Sequence, residues 1–234
     1  RDDILWHKPS VGTVAVGISN ASGGQARLES FFDKGDAWDV FVGDFNGDGG
    51  DDMLWRRGAD GTSKIVFTNT NGKQASVVNA LQAQRFSAWT VQVGDLNNDG
   101  IDDILWRKDT DGTVKAGISG ADGKQASSVN HFAKYMAWTA DLGDFNGDGG
   151  ADILWRKPAD GTVKIAITGD SGQQASVVGH PSKFSAWTHQ LLDFNGDSHT
   201  DILWHKAMSG EVKLATSSPM GYQKSEMEID PSSW

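Results

Sequence analysis

The 234-residue sequence contains no cysteine, five prolines and two tyrosines. Without cysteine there is no disulfide framework, no zinc–thiolate site and no thiol nucleophile. No apolar run reaches the 18 or so residues that a membrane-spanning helix needs. Positive charge is also scarce: 21 Lys and Arg stand against 31 Asp and Glu, a net charge of −10. That balance argues against a nucleic-acid partner, which requires a basic footprint. The acidity does not indicate disorder, because apolar and aromatic residues are spread evenly along the chain. In abundance are 29 glycines and ten tryptophans.

The tryptophans are periodic. Trp6, Trp55, Trp106, Trp155 and Trp204 each close an Asp-Ile/Met-Leu-Trp run, at intervals of 49, 51, 49 and 49 residues. Trp38, Trp89, Trp138, Trp187 and Trp234 form a second series at 51, 49, 49 and 47. Gln25, Gln74, Gln125, Gln174 and Gln223 each follow the first kind of Trp by 19 residues, so the spacing varies only between Gln and the second Trp. That stretch is expected to be a tolerant loop. The chain, residues 1–234, therefore reads as a single domain of five copies of a unit of about 49 residues.

The copy beginning at Trp138 shows the strand pattern. A short strand over 137–142 leads into the turn Asp144-Phe145-Asn146-Gly147-Asp148-Gly149, and a second strand follows over 152–157. Asp160-Gly161 reads as a tight hairpin, since glycine tolerates the positive φ such turns need. Residues 162–168 alternate Val163, Ile165 and Ile167 with Lys164 and Ala166, the period of a half-buried strand. A fourth strand is expected over 174–178. No helical period appears. Four short antiparallel strands per unit is the pattern of a β-propeller blade, so an all-β, five-bladed β-propeller of four-stranded antiparallel blades is expected. Relative to the repeat, the first 11 residues that follow a second-series position are absent from the start of the chain, and the chain stops on such a position, Trp234. The two ends thus meet at equivalent points of the repeat, as in a propeller that completes its first blade with a strand from the other terminus, but the residues that would join them are absent: either they were cut away or the chain is part of a longer array.

The chemistry is concentrated in the turn before each second strand. Its oxygen-bearing residues are Asp44, Asn46, Asp48 and Asp52; Asp95, Asn97, Asp99 and Asp103; Asp144, Asn146, Asp148 and Asp152; and Asp193, Asn195, Asp197 and Asp201. These occupy loop positions 1, 3, 5 and 9, and Gly50, Ile101, Gly150 and His199 offer a backbone carbonyl at position 7. Ca2+ takes six to eight hard oxygens, and a wrapping loop supplies them at this alternation. Zinc is disfavoured by the absence of His and Cys from the side-chain ligand positions. Turn preference alone accounts for one Asp/Asn/Gly loop, not for three carboxylates and an amide in register four times. Such crowding of like charge calls for a cation. The loops lack the twelfth-position Glu and flanking helices of an EF-hand, so a structural ion is expected, about one per complete loop. Ser198 and His199 depart from the Gly-rich pattern in the fourth loop, and only Asp3 represents the set in the first repeat.

The loop followed by Asp-Ile-Leu-Trp-Arg-Lys resembles the FG-GAP/VCBS repeat, and the resemblance covers essentially the whole chain. That family forms calcium-binding β-propellers in integrin α-subunits and secreted bacterial proteins, with relatives among bacterial and fungal propeller lectins. The resemblance implies a propeller, calcium between the first and second strands of each blade, and a secreted, extracellular setting. Loops of this simple kind also match the weak calcium affinities of extracellular modules.

Both Trp series permit two readings, packing between blades or stacking on sugar rings. The first series reads chiefly as core. The second, Trp38, Trp89, Trp138, Trp187 and Trp234, is left open between packing and ligand contact. A basic pair follows each first-series Trp (His7-Lys8, Arg56-Arg57, Arg107-Lys108, Arg156-Lys157, His205-Lys206) and reads as a solvated or salt-bridged strand end. Asp33, Asp36, Asp141, His131, His180 and His189 lie outside the pattern and form no recognisable catalytic motif, so no enzyme is expected. The functional expectation is a secreted, calcium-stabilised lectin binding glycans at repeated inter-blade sites. The alternative is a non-enzymatic protein-binding, adhesion or structural module, free-standing or part of a larger secreted protein, with an extracellular protein as partner.

Overall fold

The computed structural model describes residues 4–8, 10, 13–19, 22, 25–32, 38–69, 72–80, 88–131, 135–180, 184–221 and 225–229. Asp3, Asp33, Asp36 and Trp234 lie outside these. Nineteen strands form five antiparallel sheets, and no α-helix occurs among the described residues.

The first sheet has three strands among the described residues: β1 (Ile4–Lys8), β2 (Thr13–Ser19) and β3 (Gln25–Phe32). The second comprises β4 (Trp38–Gly43), β5 (Asp52–Arg57), β6 (Ser63–Thr68) and β7 (Gln74–Ala80). The third holds β8 (Trp89–Gly94), β9 (Asp103–Lys108), β10 (Val114–Ser119) and β11 (Gln125–His131). The fourth is β12 (Thr139–Gly143), β13 (Asp152–Lys157), β14 (Thr162–Thr168) and β15 (Gln174–Gly179). The fifth is β16 (Thr188–Leu192), β17 (Asp201–Lys206), β18 (Glu211–Thr216) and β19 (Ser225–Ile229). Each is a meander in chain order, one per repeat. The second and third strands of the Trp138 copy begin and end where the sequence places them. The expected four strands per sheet hold in four sheets; the first shows three.

The chain divides into two compact units, Arg1–Trp89 with Ser119–Ser127, and Thr90–Ile118 with Ser128–Trp234. Within each unit the core is built the same way. Successive strand residues face opposite sides of a sheet, so the Asp-Ile-Leu-Trp strand puts Ile and Trp on one face and Leu on the other. In the first unit, Leu5, Val14 and Val16 on the Leu face of the first sheet pack against Trp38, Met53, Trp55 and Val66 on the Trp face of the second. In the second unit, Leu105, Val114 and Ala116 meet Ala140, Ile153, Trp155 and Ala166. Leu154, Val163 and Ile165 likewise meet Ile202, Trp204 and Ala215.

Trp55, Trp106, Trp155 and Trp204 are at most 2% exposed, so these members of the first series are core residues. At about 25 cal/mol per Å2 over roughly 200 Å2, each such burial contributes about 5 kcal/mol. The indole N–H groups of Trp55, Trp155 and Trp204 are buried without an acceptor in the protein. The gain from packing outweighs the roughly 1–3 kcal/mol that each unmade hydrogen bond costs.

Candidate functional site: the acidic loops and the mouths of the seams

Each acidic loop is organised by its own carboxylates. Asp144 accepts from Gly147 N at 2.7 Å, Asp148 N at 3.2 Å and Gly149 N at 2.9 Å. Asp44 makes the same set with Gly47, Asp48 and Gly49, and Asp193 with Gly196, Asp197 and Ser198. Asp95 takes Asn97 N, Asp99 N and Gly100 N. The fifth-position carboxylates of Asp48, Asp99, Asp148 and Asp197 accept the amide of the seventh residue at 2.8–3.0 Å. This winding demands left-handed backbone at positions 4 and 6. Glycine supplies it except at Asn98 (φ 59°) and Ser198 (φ 67°).

The ninth-position Asp52, Asp103, Asp152 and Asp201 are fully buried at the first residue of their strands. Asp152 accepts from Phe145 N at 3.0 Å and from Thr168 N at 2.9 Å, tying the loop to the third strand. Asp52 and Asp201 do the same with Phe45 and Thr68, and with Phe194 and Ser217. Burial pushes the carboxyl of Asp152 up to about 7 and that of Asp52 to about 6, and Asp48/Asp44 and Asp148/Asp144 add repulsion. Asp201 is raised for the same reasons.

Among the described residues, no group of three or more acidic or imidazole side chains is arranged to hold a metal ion. The donor chemistry nonetheless suits a hard cation. The side chains at positions 1, 3, 5 and 9 are carboxylates and amides throughout, the charges at positions 1 and 5 raise the proton affinity of Asp52, Asp152 and Asp201, and the buried Oδ1 of Asn97 has no hydrogen-bond partner. His199 turns its Nδ1 to Asp197, at 3.0 Å from Oδ1.

The second Trp series divides. Trp38 is 5% exposed, and Trp89, Trp138 and Trp187 are half-buried. Cations lie over these rings: Lys64 Nζ is 4.6 Å from the centroid of Trp38, Lys164 Nζ 5.4 Å from Trp138, and Lys206 and Lys213 5.6 and 5.7 Å from Trp187. Beside them runs an aromatic strap that the repeat arithmetic misses. Tyr135 stacks on Trp155 at 4.0 Å and stands edge-on to Trp138; Phe184 treats Trp204 and Trp187 in the same way. Tyr135 N and Phe184 N each donate, at 2.9 Å, to the carbonyl of a hairpin glycine, Gly112 and Gly161. The signal was present in the sequence as aromatic-x-Ala-Trp at Phe86, Tyr135 and Phe184.

The two members of the basic pair have separate tasks. The second is salt-bridged across its hairpin: Arg57 to Asp60, Lys108 to Asp111, Lys157 to Asp160 and Lys206 to Glu211. The first reaches toward the following repeat. Arg156 donates to the carbonyls of Phe184 (2.9 Å) and Trp187, and Arg56 to that of Trp89 (2.6 Å).

Two shallow grooves open at equivalent repeat positions of the second unit. One, of about 270 Å3, is lined by Thr90, Gln92, Leu105, Arg107, Thr139 and Asp141. The other, of about 360 Å3, is lined by Thr188, His189, Gln190, Leu203, His205 and Val212. Asp141 and His189, which form no motif in sequence, meet at 3.2 Å. Gln92 donates to Ala140 O at 3.1 Å.

Among solved structures, one describing specific recognition of non-reducing terminal N-acetylglucosamine by a lectin of Agrocybe aegerita matches 97% of this chain, with a TM-score of 0.72 at 16% identity. The chain spans 62% of that lectin's length. A Bacteroides caccae protein of unknown function matches at a TM-score of 0.49 and 14% identity, over 97% of this chain and 70% of that one. No curated protein matches the sequence. The FG-GAP-like repeat model matches residues 44–106 and 144–204, which take in all four complete acidic loops and four of the five Asp-Ile/Met-Leu-Trp strands. With more than half of its residues matched, the chain belongs to the FG-GAP-like repeat family.

Proposed function

We propose that this chain is a non-enzymatic, calcium-stabilised carbohydrate-binding module of five propeller blades that works outside the cell. The observation that carries the reading is the likeness of fold, over nearly the whole chain, to a lectin that recognises terminal N-acetylglucosamine. Supporting it, the rings of Trp138 and Trp187 are only half-buried, and the same unit opens two grooves lined by polar side chains. A sugar ring stacks its apolar face on such an indole edge, while hydroxyls take the Thr, Gln, Arg and Asp groups alongside. The cations over the rings already occupy part of each aromatic face, so the contact is partial and its affinity per site is low. Several sites acting together then supply avidity.

Calcium would be held by the side chains at loop positions 1, 3, 5 and 9 and the carbonyl at position 7 of each complete loop. When bound it supplies positive charge that offsets three crowded carboxylates per loop. The protein's own part is to hold those carboxylates in place through loop amides and to anchor the ninth-position Asp to the third strand.

A glycan array probed in calcium-containing buffer tests the reading, with an arm in chelator. Binding to a defined set of terminal sugars, weakened by Trp138→Ala and Trp187→Ala, is expected. Absence of any glycan signal with a folded, calcium-loaded protein overturns the lectin reading and leaves a protein-binding module. Loss of binding in chelator together with a lower melting temperature is expected if calcium acts through the fold.

A further inference from the structure

Three of the acidic loops, residues 95–103, 144–152 and 193–201, lie in the second unit, and each is joined to the next through the backbone. Ala151 N, at position 8 of one loop, donates at 2.5 Å to Asp95 O, at position 1 of the loop before it. Thr200 N makes the same bond one repeat on, to Asp144 O at 2.6 Å. The residue ahead of each accepting Asp is a glycine with the next loop close against it. A Cβ on Gly94 would sit 3.2 Å from Ala151 Cβ, and one on Gly143 would sit 2.7 Å from Thr200 Cγ2.

Side chains add a second tie, different in each pair. Asn98 takes position 4, which is glycine in the other three complete loops, and its Nδ2 donates to Asp148 O at 2.6 Å. Its side-chain oxygen lies over Gly149, 2.7 Å from where a Cβ would stand. In the other pair the imidazole of His199 covers Gly147, with Nε2 2.9 Å from the position of a Cβ. Two of the residues that break the loop pattern are thus ones that touch a neighbouring loop.

The backbone tie lies on a peptide that the loop also offers to a cation. Ala151 N and the Gly150 carbonyl belong to one peptide group, as do Thr200 N and the His199 carbonyl. On one side each peptide presents the position-7 oxygen of its own loop, and on the other it holds the position-1 residue of the loop before. Drawing electron density to the carbonyl makes the N–H a stronger donor, and hydrogen bonds in series polarise one another. A peptide ordered for one loop is then already ordered for its neighbour, which is positive cooperativity. Charge works the other way, because each cation taken up lessens the negative potential at the adjoining loop. Salt screens that effect, with a Debye length of about 8 Å at physiological ionic strength, and the hydrogen bonds remain.

Resting on the calcium reading above, we propose that loops 95–103, 144–152 and 193–201 take up calcium as a coupled row, occupancy of one raising the affinity of the next. Asn98 is the positioning residue between the first two. Independent sites would need neither a shared peptide nor a side chain reaching across.

Calcium titration of the 15N-labelled full chain, from the chelated state at physiological ionic strength, provides the test. The amides of Gly100, Gly149 and Ser198 donate to Asp95, Asp144 and Asp193 and report the three loops separately by NMR. In the wild type the three signals are expected to move together, over a narrower range of calcium than a single site gives. Asn98→Gly keeps the left-handed backbone and every proposed calcium donor of its own loop, and removes only the reach to Asp148 O. It is expected to raise the Gly149 midpoint about two- to tenfold, the worth of one hydrogen bond. Asp99→Ala, which disables the first loop, is expected to weaken the second, and Asp148→Ala the first, by equal factors, since coupling is reciprocal. Single-site curves at all three amides, an Asn98→Gly protein that titrates as the wild type does, or a disabled loop that leaves its neighbour's midpoint unchanged each overturns the coupling and leaves the calcium reading standing. A folded chain whose loop amides do not respond to calcium overturns both.

Discussion

Gly161 and Gly210 occupy the same hairpin position in successive repeats, with φ of 73° and 71°, and differ in what lies over them. A Cβ on Gly161 would sit 2.1 Å from Ser185 N and 2.4 Å from Phe184 N, both backbone atoms that cannot rotate away. On Gly210 it would meet nothing within 4 Å among the described residues. Replacing either by Ala places an L-residue in left-handed backbone, costing about 1–2 kcal/mol, of which about 0.4–1 kcal/mol is recovered by restricting the unfolded chain. That net cost is common to both. Gly161→Ala must in addition push the strap outward. It then loses the Phe184 N to Gly161 O bond, about 1 kcal/mol, and loosens the Phe184–Trp204 stack, about 0.5–1.5 kcal/mol. Gly161→Ala is therefore expected to cost about 2 kcal/mol more than Gly210→Ala. Urea unfolding followed by tryptophan fluorescence measures both, and at this chain length the gap corresponds to roughly 4–8 °C in melting temperature. Equal losses in the two variants would refute the argument that the strap, rather than the turn, makes this glycine necessary.

Three further perturbations test separate parts of the structure. Ser198 holds the left-handed position that glycine takes in the other three complete loops, and its side chain is not needed for the Ser198 N to Asp193 bond. Ser198→Gly is expected to stabilise the protein by about 0.5–1 kcal/mol in urea titration, and a loss of stability counts against the loop account. Arg156→Lys keeps the charge but not the guanidinium that reaches two carbonyls. A loss of about 1.5–3 kcal/mol is expected, whereas full rescue by Lys would show that charge alone suffices. The carboxyls of Asp152 and Asp52 are raised above the ordinary 3.8, to about 7 and about 6, so the folded state binds protons more tightly than the unfolded chain. Their destabilising effect is full above pH 7 and is relieved as pH falls toward 4. The chelated protein is thus expected to melt higher at pH 5.5 than at pH 8, a trend that added calcium flattens; a chelated protein that melts lower at pH 5.5 contradicts it.

Much of the sheet architecture was legible because the repeat exposes period-two alternation five times over. The Asp-Ile-Leu-Trp strand and its acidic turn keep both spacing and composition, and β13 and β14 start and stop where the pattern places them. What escaped notice lies between sheets. Tyr135 and Phe184 fall in the stretch whose length varies, and length variation reads as a tolerant loop even where one of its residues is fixed by stacking and a backbone hydrogen bond. The basic pair looked like a single feature because its members are adjacent. Adjacent strand residues face opposite ways, so one closes its own hairpin while the other reaches for the next repeat.

The repeat also encouraged the idea of identical binding sites, and the groove residues argue otherwise. Positions buried in a seam are nearly invariant along this chain because packing tolerates little change of volume. Two and three residues past the second-series Trp, the chain instead reads Val40-Phe41, Val91-Gln92, Ala140-Asp141 and His189-Gln190. In the second unit these residues bridge neighbouring strands, by Gln92 to Ala140 O in one place and by Asp141 to His189 in the next. The two grooves therefore offer different sets of donors, acceptors and charge. A ligand held by the indole alone would bind every seam alike. A ligand read by its hydroxyls would discriminate among them, so Gln92→Ala and His189→Ala would each remove one class of site while leaving the rest. Site-by-site loss in calorimetric titration, rather than a uniform fall in affinity, would locate selectivity in the residues that break the repeat.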